Sequence, residues 1–216
     1  MSVSNKIKDH FISQFGSNLI SLYQYGPPPL SKQGPYCVLL VLESSNVTEF
    51  RDYAKKKQAL TQNIQLSCFT KKELFNAVDV FPIEFIEIKE TKQLLYGQDL
   101  LENIQVQLTH LRHECEYTLR STLLKLRAAL LRPKVNLNDL IFESFPIFFS
   151  TLKCIFKLNN KQCPETQDDC LLELAQLTKT PLDEFTKILT KNKITESDFQ
   201  HYINTLSQLT FYVNEL

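Results

Sequence analysis

Apolar and polar positions follow two rhythms along this chain, and the rhythm changes near residue 97. From Ser4 to Phe15, Ile7, His10, Phe11, Ile12 and Phe15 recur at helical spacing, and Gly16 then supplies a left-handed stop. Leu19 to Tyr25 is rich in β-formers. Tyr36 to Leu42 is apolar almost throughout, the pattern of a strand buried on both faces. Asn46 to Leu60 predicts a helix capped by Asn46 or Thr48, with Lys55-Lys56-Lys57 on its solvated side. Ile64 to Phe69 alternates like a strand, and Thr70-Lys-Lys-Glu73 is a capping box that opens a short helix. The stretch from Phe81 to Ile88 alternates again. It predicts a further strand with Pro82 near its start, where proline is tolerated.

After Gly97 only the helical period remains. Ile104, Leu108, Leu111, Cys115, Leu119, Leu123, Leu126 and Leu130 predict one long amphipathic helix ending near Arg132-Pro133. Leu137 to Leu158 is strongly apolar, and Pro146 should kink or split its helix. Three more helices have start signals: Pro164, Thr180-Pro-Leu-Asp183 and Thr195-Glu-Ser-Asp198. The expected fold class is therefore α+β. A mixed sheet with flanking helices spans 1–97, and an all-helical domain spans 98–216.

Charge and composition narrow the classes of function. The 216 residues carry 24 Lys and Arg against 24 Asp and Glu, so bulk charge gives no nucleic-acid or membrane signal. No apolar run is long enough to span a bilayer, and the N-terminus lacks a signal-peptide core, so a cytoplasmic protein is expected. Six cysteines sit singly, as reduced apolar residues do in such a chain, and no Cys-x-x-Cys pair suggests zinc. His110, His113 and Glu114 share helical spacing but not the order of a zinc-protease helix. Arg112, Arg120, Lys125, Arg127 and Arg132 make the long helix basic. They read either as a phosphate-holding face or as a solvated face with local pairs such as Glu116 and Arg120.

Between the first two strands lies Tyr25-Gly26-Pro27-Pro-Pro and, further on, Gly34-Pro35-Tyr-Cys37. That loop contains no carboxylate, and its prolines donate no backbone N–H. The helix, the strand ending in Tyr25-Gly26, the loop and the Val38-Leu-Leu-Val41 strand together resemble the nucleotidyltransferase fold. Downstream, Phe69-Thr-Lys-Lys-Glu-Leu74, Asp79 to Glu90, Leu95-Tyr-Gly97 and His110-Leu-Arg-His-Glu-Cys-Glu116 are similar to a bacterial family of nucleotidyltransferase-like proteins. Active members end the first strand in Gly-Ser and begin the second with Asp-x-Asp, and a later strand adds a third carboxylate. Those groups hold the magnesium ions that stabilise phosphoryl charge.

The resemblance places Pro27 at the serine position and Pro35 and Cys37 at the two aspartates, so both metal carboxylates are replaced. It makes Glu84 the candidate for the third carboxylate, with Glu87 competing from the opposite face of the strand, and it leaves Tyr25 and Gly26 as nucleotide-binding candidates. The expectation is a protein of that fold which has lost metal-dependent transfer and binds a nucleotide, another small molecule or a partner, with no resident cofactor. Two alternatives stand beside it. One is an active transferase using magnesium through unconventional ligands. The other is a structural module that associates with itself or a partner through its helical half.

Overall fold

The computed structural model describes residues 3–26, 36–55, 64–182, 185, 188 and 193–216. The protein is α+β, with a four-stranded mixed sheet followed by helices. It divides into two compact units, Met1–Val106 and Gln107–Leu216. No helix among the described residues is long and apolar enough to cross a membrane.

In the first unit α1 (Val3–Phe15) leads through a 3-10 turn, Gly16–Asn18, into β1 (Leu19–Tyr25). β2 (Tyr36–Leu42), α2 (Val47–Lys55) and β3 (Ile64–Thr70) follow, then α3 (Lys71–Asn76), α4 (Pro82–Thr91) and β4 (Gln93–Gly97). The strand order is β3-β2-β1-β4; β1 runs antiparallel to both neighbours and β2 parallel to β3. Asn46 caps α2 by accepting from the Thr48 amide at 2.9 Å, and Thr70 with Glu73 forms the expected capping box on α3. Of the helix expected over 46–60, the part after Lys55 lies outside the described residues.

β2 explains why the sheet has a layer on each side. Its residues Val38 to Leu42 are all buried, and alternate side chains feed two separate cores. Leu22, Val38, Leu40 and Leu42 meet Ile7, Phe11 and Phe15 of α1. Tyr23, Leu39 and Val41 meet Leu74 of α3, Phe85 and Ile88 of α4, and Leu101 and Ile104 beyond β4.

The strand expected over 82–88 is instead α4. Pro82 at the first turn has its φ already set for a helix and no N–H to satisfy. The buried set Pro82, Ile83, Phe85, Ile86 and Ile88 fits a helical stripe, because Ile86 breaks strict alternation. Glu84 and Glu87, placed on opposite faces by the strand reading, stand three apart on the helix, Glu84 exposed and Glu87 half-buried. The fourth strand is Gln93–Gly97, an edge with little burial. Gly97 pairs with Ser21 at φ +82, and a Cβ there would fall 1.9 Å from the Ile20 carbonyl oxygen.

The first unit also extends past the change of rhythm at residue 97. The Ser21 hydroxyl donates to the Gln98 carbonyl at 2.6 Å. The Tyr23 hydroxyl donates to the same carbonyl at 3.0 Å and accepts from the Leu100 amide at 2.7 Å. Asp99 pairs with Lys92. Those bonds deliver Leu101 and Ile104 into the sheet's core, so Ile104 lies ahead of the long helix rather than in it.

The helical unit consists of α5 (Leu108–Leu130), α6 (Leu137–Leu158), α7 (Gln167–Thr178) and α8 (Glu196–Asn214), with Phe185 and Ile188 helical and buried between the last two in sequence. The helix expected to open at Thr180 falls mainly outside the described residues. α7 is capped by Thr166, so Pro164 precedes the cap rather than filling the first turn. α6 is continuous through Pro146. Proline removes the donor for the Phe142 carbonyl, and both residues are exposed, where water can replace it.

Leu111, Cys115, Leu119, Leu123 and Leu126 are buried as expected, whereas Leu108 is 43% exposed, at the helix start. The Phe148, Phe185 and Tyr202 rings pack together, with Phe185 5.0 Å from each of the others. The Tyr202 hydroxyl meets Ser144 at 2.8 Å, and burial pushes its pKa up to about 12.

Leu119→Asp should destabilise the protein by several kcal/mol, because it places an unpaired charge in the bundle core. Urea unfolding reads this directly, and an unchanged midpoint would contradict the packing. Gly97→Ala should also lower the midpoint, since neither the positive φ nor the 1.9 Å approach to Ile20 accommodates a methyl group. A neutral result would contradict the β1–β4 register.

Candidate functional site

The candidate site lies where β1 ends and β2 begins. Tyr25 and Cys37 are register partners on the antiparallel pair, and Cys37 is in turn the partner of Gln65 on β3. Paired residues project to one face, so Tyr25, Cys37 and Gln65 form a row on the side covered by α3 and α4. Ser67, two residues after Gln65, shares that face. The Tyr25 hydroxyl lies 3.1 Å from the Ser67 hydroxyl, so the tyrosine side chain spans β2 between the strands that flank it.

Gly26 closes β1 in the left-handed region at φ +80, with the Cys37 sulfur 3.7 Å from where its Cβ would be. Its amide donates to the Thr91 hydroxyl at 2.8 Å, and that hydroxyl donates to the Glu87 carbonyl at 2.6 Å. The end of α4 thereby ties down the end of β1. Pro27 and Pro35 lie outside the described residues.

Electrostatically the row is neutral, with Tyr25, Cys37 and Ser67 half-buried and Gln65 exposed. Burial holds the Cys37 thiol above its ordinary value, and the Glu87 carboxylate raises it further. Burial also raises the Tyr25 hydroxyl, against the opposing hydrogen bond from Ser67, with the negative charge of Glu87 and Glu84 adding to the rise. At neutral pH the sulfur therefore carries its proton, and it lies 4.0 Å from the Gln65 amide oxygen. A protonated thiol, an amide and two hydroxyls are hydrogen-bonding groups with no formal charge.

The acids of α4 thus approach this row from a helix and not from a strand. Glu87, the competitor in the sequence reading, is the acid that raises Cys37, while both acids act on Tyr25. Gln65, Ser67 and Thr91 were missed by sequence reasoning. The place of the first two follows from β3 running parallel to β2, which puts every second residue of Ile64–Thr70 on the Cys37 face.

Of the basic residues on the long helix, Arg112 and Arg120 pair locally. Glu116 accepts from Arg112 at 3.2 Å and from Arg120 at 2.8 Å, as i, i+4 spacing favours. His113 is exposed with Arg112 3.4 Å away, and the described residues contain no group of three His, Cys, Asp or Glu placed to hold a metal ion. Cys163 and Cys170 approach to 3.4 Å between their sulfurs, a pairing the linear sequence did not suggest. A second concavity, with Asn18, Glu43, Glu49 and Asp52 among its lining, lies at the opposite end of β1. There the Asn18 amide donates to Glu49 at 2.7 Å and to the Ser44 carbonyl at 3.1 Å.

No family model matches the sequence. No curated protein matches it either.

Cys37 should react with iodoacetamide more slowly than free cysteine at pH 8, because burial and Glu87 both disfavour the thiolate. The rate should climb as pH rises past 9.0, and Glu87→Gln should raise it at fixed pH by removing the nearby charge. Mass spectrometry of the Cys37 peptide measures both; a rate indifferent to Glu87→Gln would contradict the electrostatic coupling.

Proposed function

We propose that this protein is a nucleotidyltransferase-like binding protein without metal-dependent transfer, acting in the cytoplasm through a small molecule or a partner held at the β1–β2 mouth. The observation that carries the reading is the row Tyr25, Cys37, Gln65 and Ser67. In the family that the sequence resembles, the start of the second strand and a position on a later strand supply magnesium-binding carboxylates. Here Cys37, which the resemblance puts at one of those positions, is a protonated thiol with Gln65 and Ser67 beside it on the same face.

Hard divalent cations need several oxygen ligands with negative charge among them, and neutral sulfur is a poor substitute. Glu84 and Glu87 on α4 bring negative charge toward this face, which disfavours a triphosphate. The loop from Pro27 to Pro35 adds three consecutive prolines where backbone N–H groups would cradle phosphate.

The wild-type protein should therefore show no magnesium-dependent transfer from any nucleoside triphosphate, measured with label on the α-phosphate. Calorimetric titration with ATP separates the possibilities: binding that ignores magnesium supports a sensor, and no binding supports a module acting through a partner. Pro35→Asp with Cys37→Asp should add magnesium binding that the wild type lacks, because Asp-x-Asp spacing along a strand would put two carboxylates on one face. Magnesium-dependent transfer by the unmodified protein would overturn the proposal.

A further inference from the structure

The outer face of α5 carries a second pattern, independent of the site above and of its proposed role. Tyr117, Leu124 and Leu131 are 73%, 64% and 88% exposed, although each is large and apolar. Ser121 and Ala128 fall between them, and the five positions step by four and three residues in turn. That spacing is the a/d seam of a coiled coil, with large residues at one position and small ones at the other. Leu131 is the C-cap of the helix and retains αR backbone, so the row continues to the helix end.

This face is not the one that builds the bundle. Leu111, Cys115, Leu119 and Leu126 lie on the far side at about 100° per residue, and all are buried. The apolar row is therefore additional to what folding requires.

Its rims identify the kind of partner. Arg120 and Arg127 stand along one side of the row, and Lys125 and Arg132 along the other. No acid occurs in the sequence between Glu116 and Asp139. Glu116 engages Arg120 from the preceding turn, and Glu143 of α6 borders the same small cavity as Lys125. Arg127 and Arg132 form no ion pair among the described residues.

We propose that this face docks an acidic amphipathic helix of a partner protein, whose apolar residues fill the spaces over Ser121 and Ala128 while its flanking carboxylates meet the four cations. A second copy of α5 would bring like-charged rims together, which disfavours self-association here. Duplex nucleic acid would engage the cations but has no use for a leucine row. An anionic bilayer wants a broad apolar face, whereas this row is a single seam, because the opposite side of α5 is committed to the bundle.

The test uses the full chain and a labelled peptide of about three heptads, with leucine and alanine at its apolar positions and glutamate along both flanks. Fluorescence anisotropy should report binding that weakens with added salt. The counterpart peptide with lysine flanks should not bind. Leu124→Ser should weaken binding by roughly tenfold, and Arg127→Glu should weaken it further. Both side chains are exposed, so unchanged thermal unfolding would confirm that the fold is intact. Failure of the acidic peptide to bind, or indifference to Leu124→Ser, would overturn the proposal. Tighter binding to phosphatidylserine vesicles or to a duplex oligonucleotide than to the peptide would overturn it in favour of that surface.

Discussion

Burial of β2 on both faces is the constraint from which the first unit follows. A strand whose residues Val38 to Leu42 are all inaccessible must have a strand on each side and a helical layer above and below. β1 and β3 supply the strands, α1 covers one face, and α3 with α4 covers the other. The same constraint fixes the register. Slipping β2 by one residue would move Leu39 and Val41 to the wrong core and carry Cys37 off the Tyr25 row. The geometry of the candidate site is thus a by-product of how the core is filled.

That arrangement explains why the chemistry at the mouth is so specific in what it offers. Cys37 and Tyr25 are register partners, burial and Glu87 keep the thiol protonated, and the Tyr25 hydroxyl is engaged with Ser67. The scaffold positions its side chains firmly. What it positions there is neutral and hydrogen-bonding.

Where the sequence was legible, packing was decided locally. The apolar run of β2, the capping boxes at Thr70 and Thr195 and the leucine stripe of α5 each satisfy one strong periodic or capping signal. The stretch from Phe81 to Ile88 misled because Phe81, Ile83 and Phe85 alternate like a strand, and only Ile86 and the proline's preference for a first turn reveal the helix. β4 was invisible as a strand because an edge that is half in solvent carries no alternation; its pairing depends on Gly97 approaching Ile20, a backbone contact with no side-chain signature. Gln65 and Ser67 were overlooked because their role comes from β3 lying parallel to β2, a tertiary fact. The exposed row on α5 was hidden differently: its leucines blend into a helix already rich in leucine until burial separates the two faces.

The claim on which this account turns is that the mouth of the sheet lacks the ligands for a divalent metal pair. Manganese, a paramagnetic substitute for magnesium, tests it residue by residue in the amide NMR spectrum of the wild-type protein. The account predicts no selective broadening at Tyr25, Cys37, Gln65 or Ser67 as manganese is added, with or without ATP. Broadening confined to those residues would contradict it, because it would place a metal ion on the row where the chain presents a thiol, an amide and two hydroxyls.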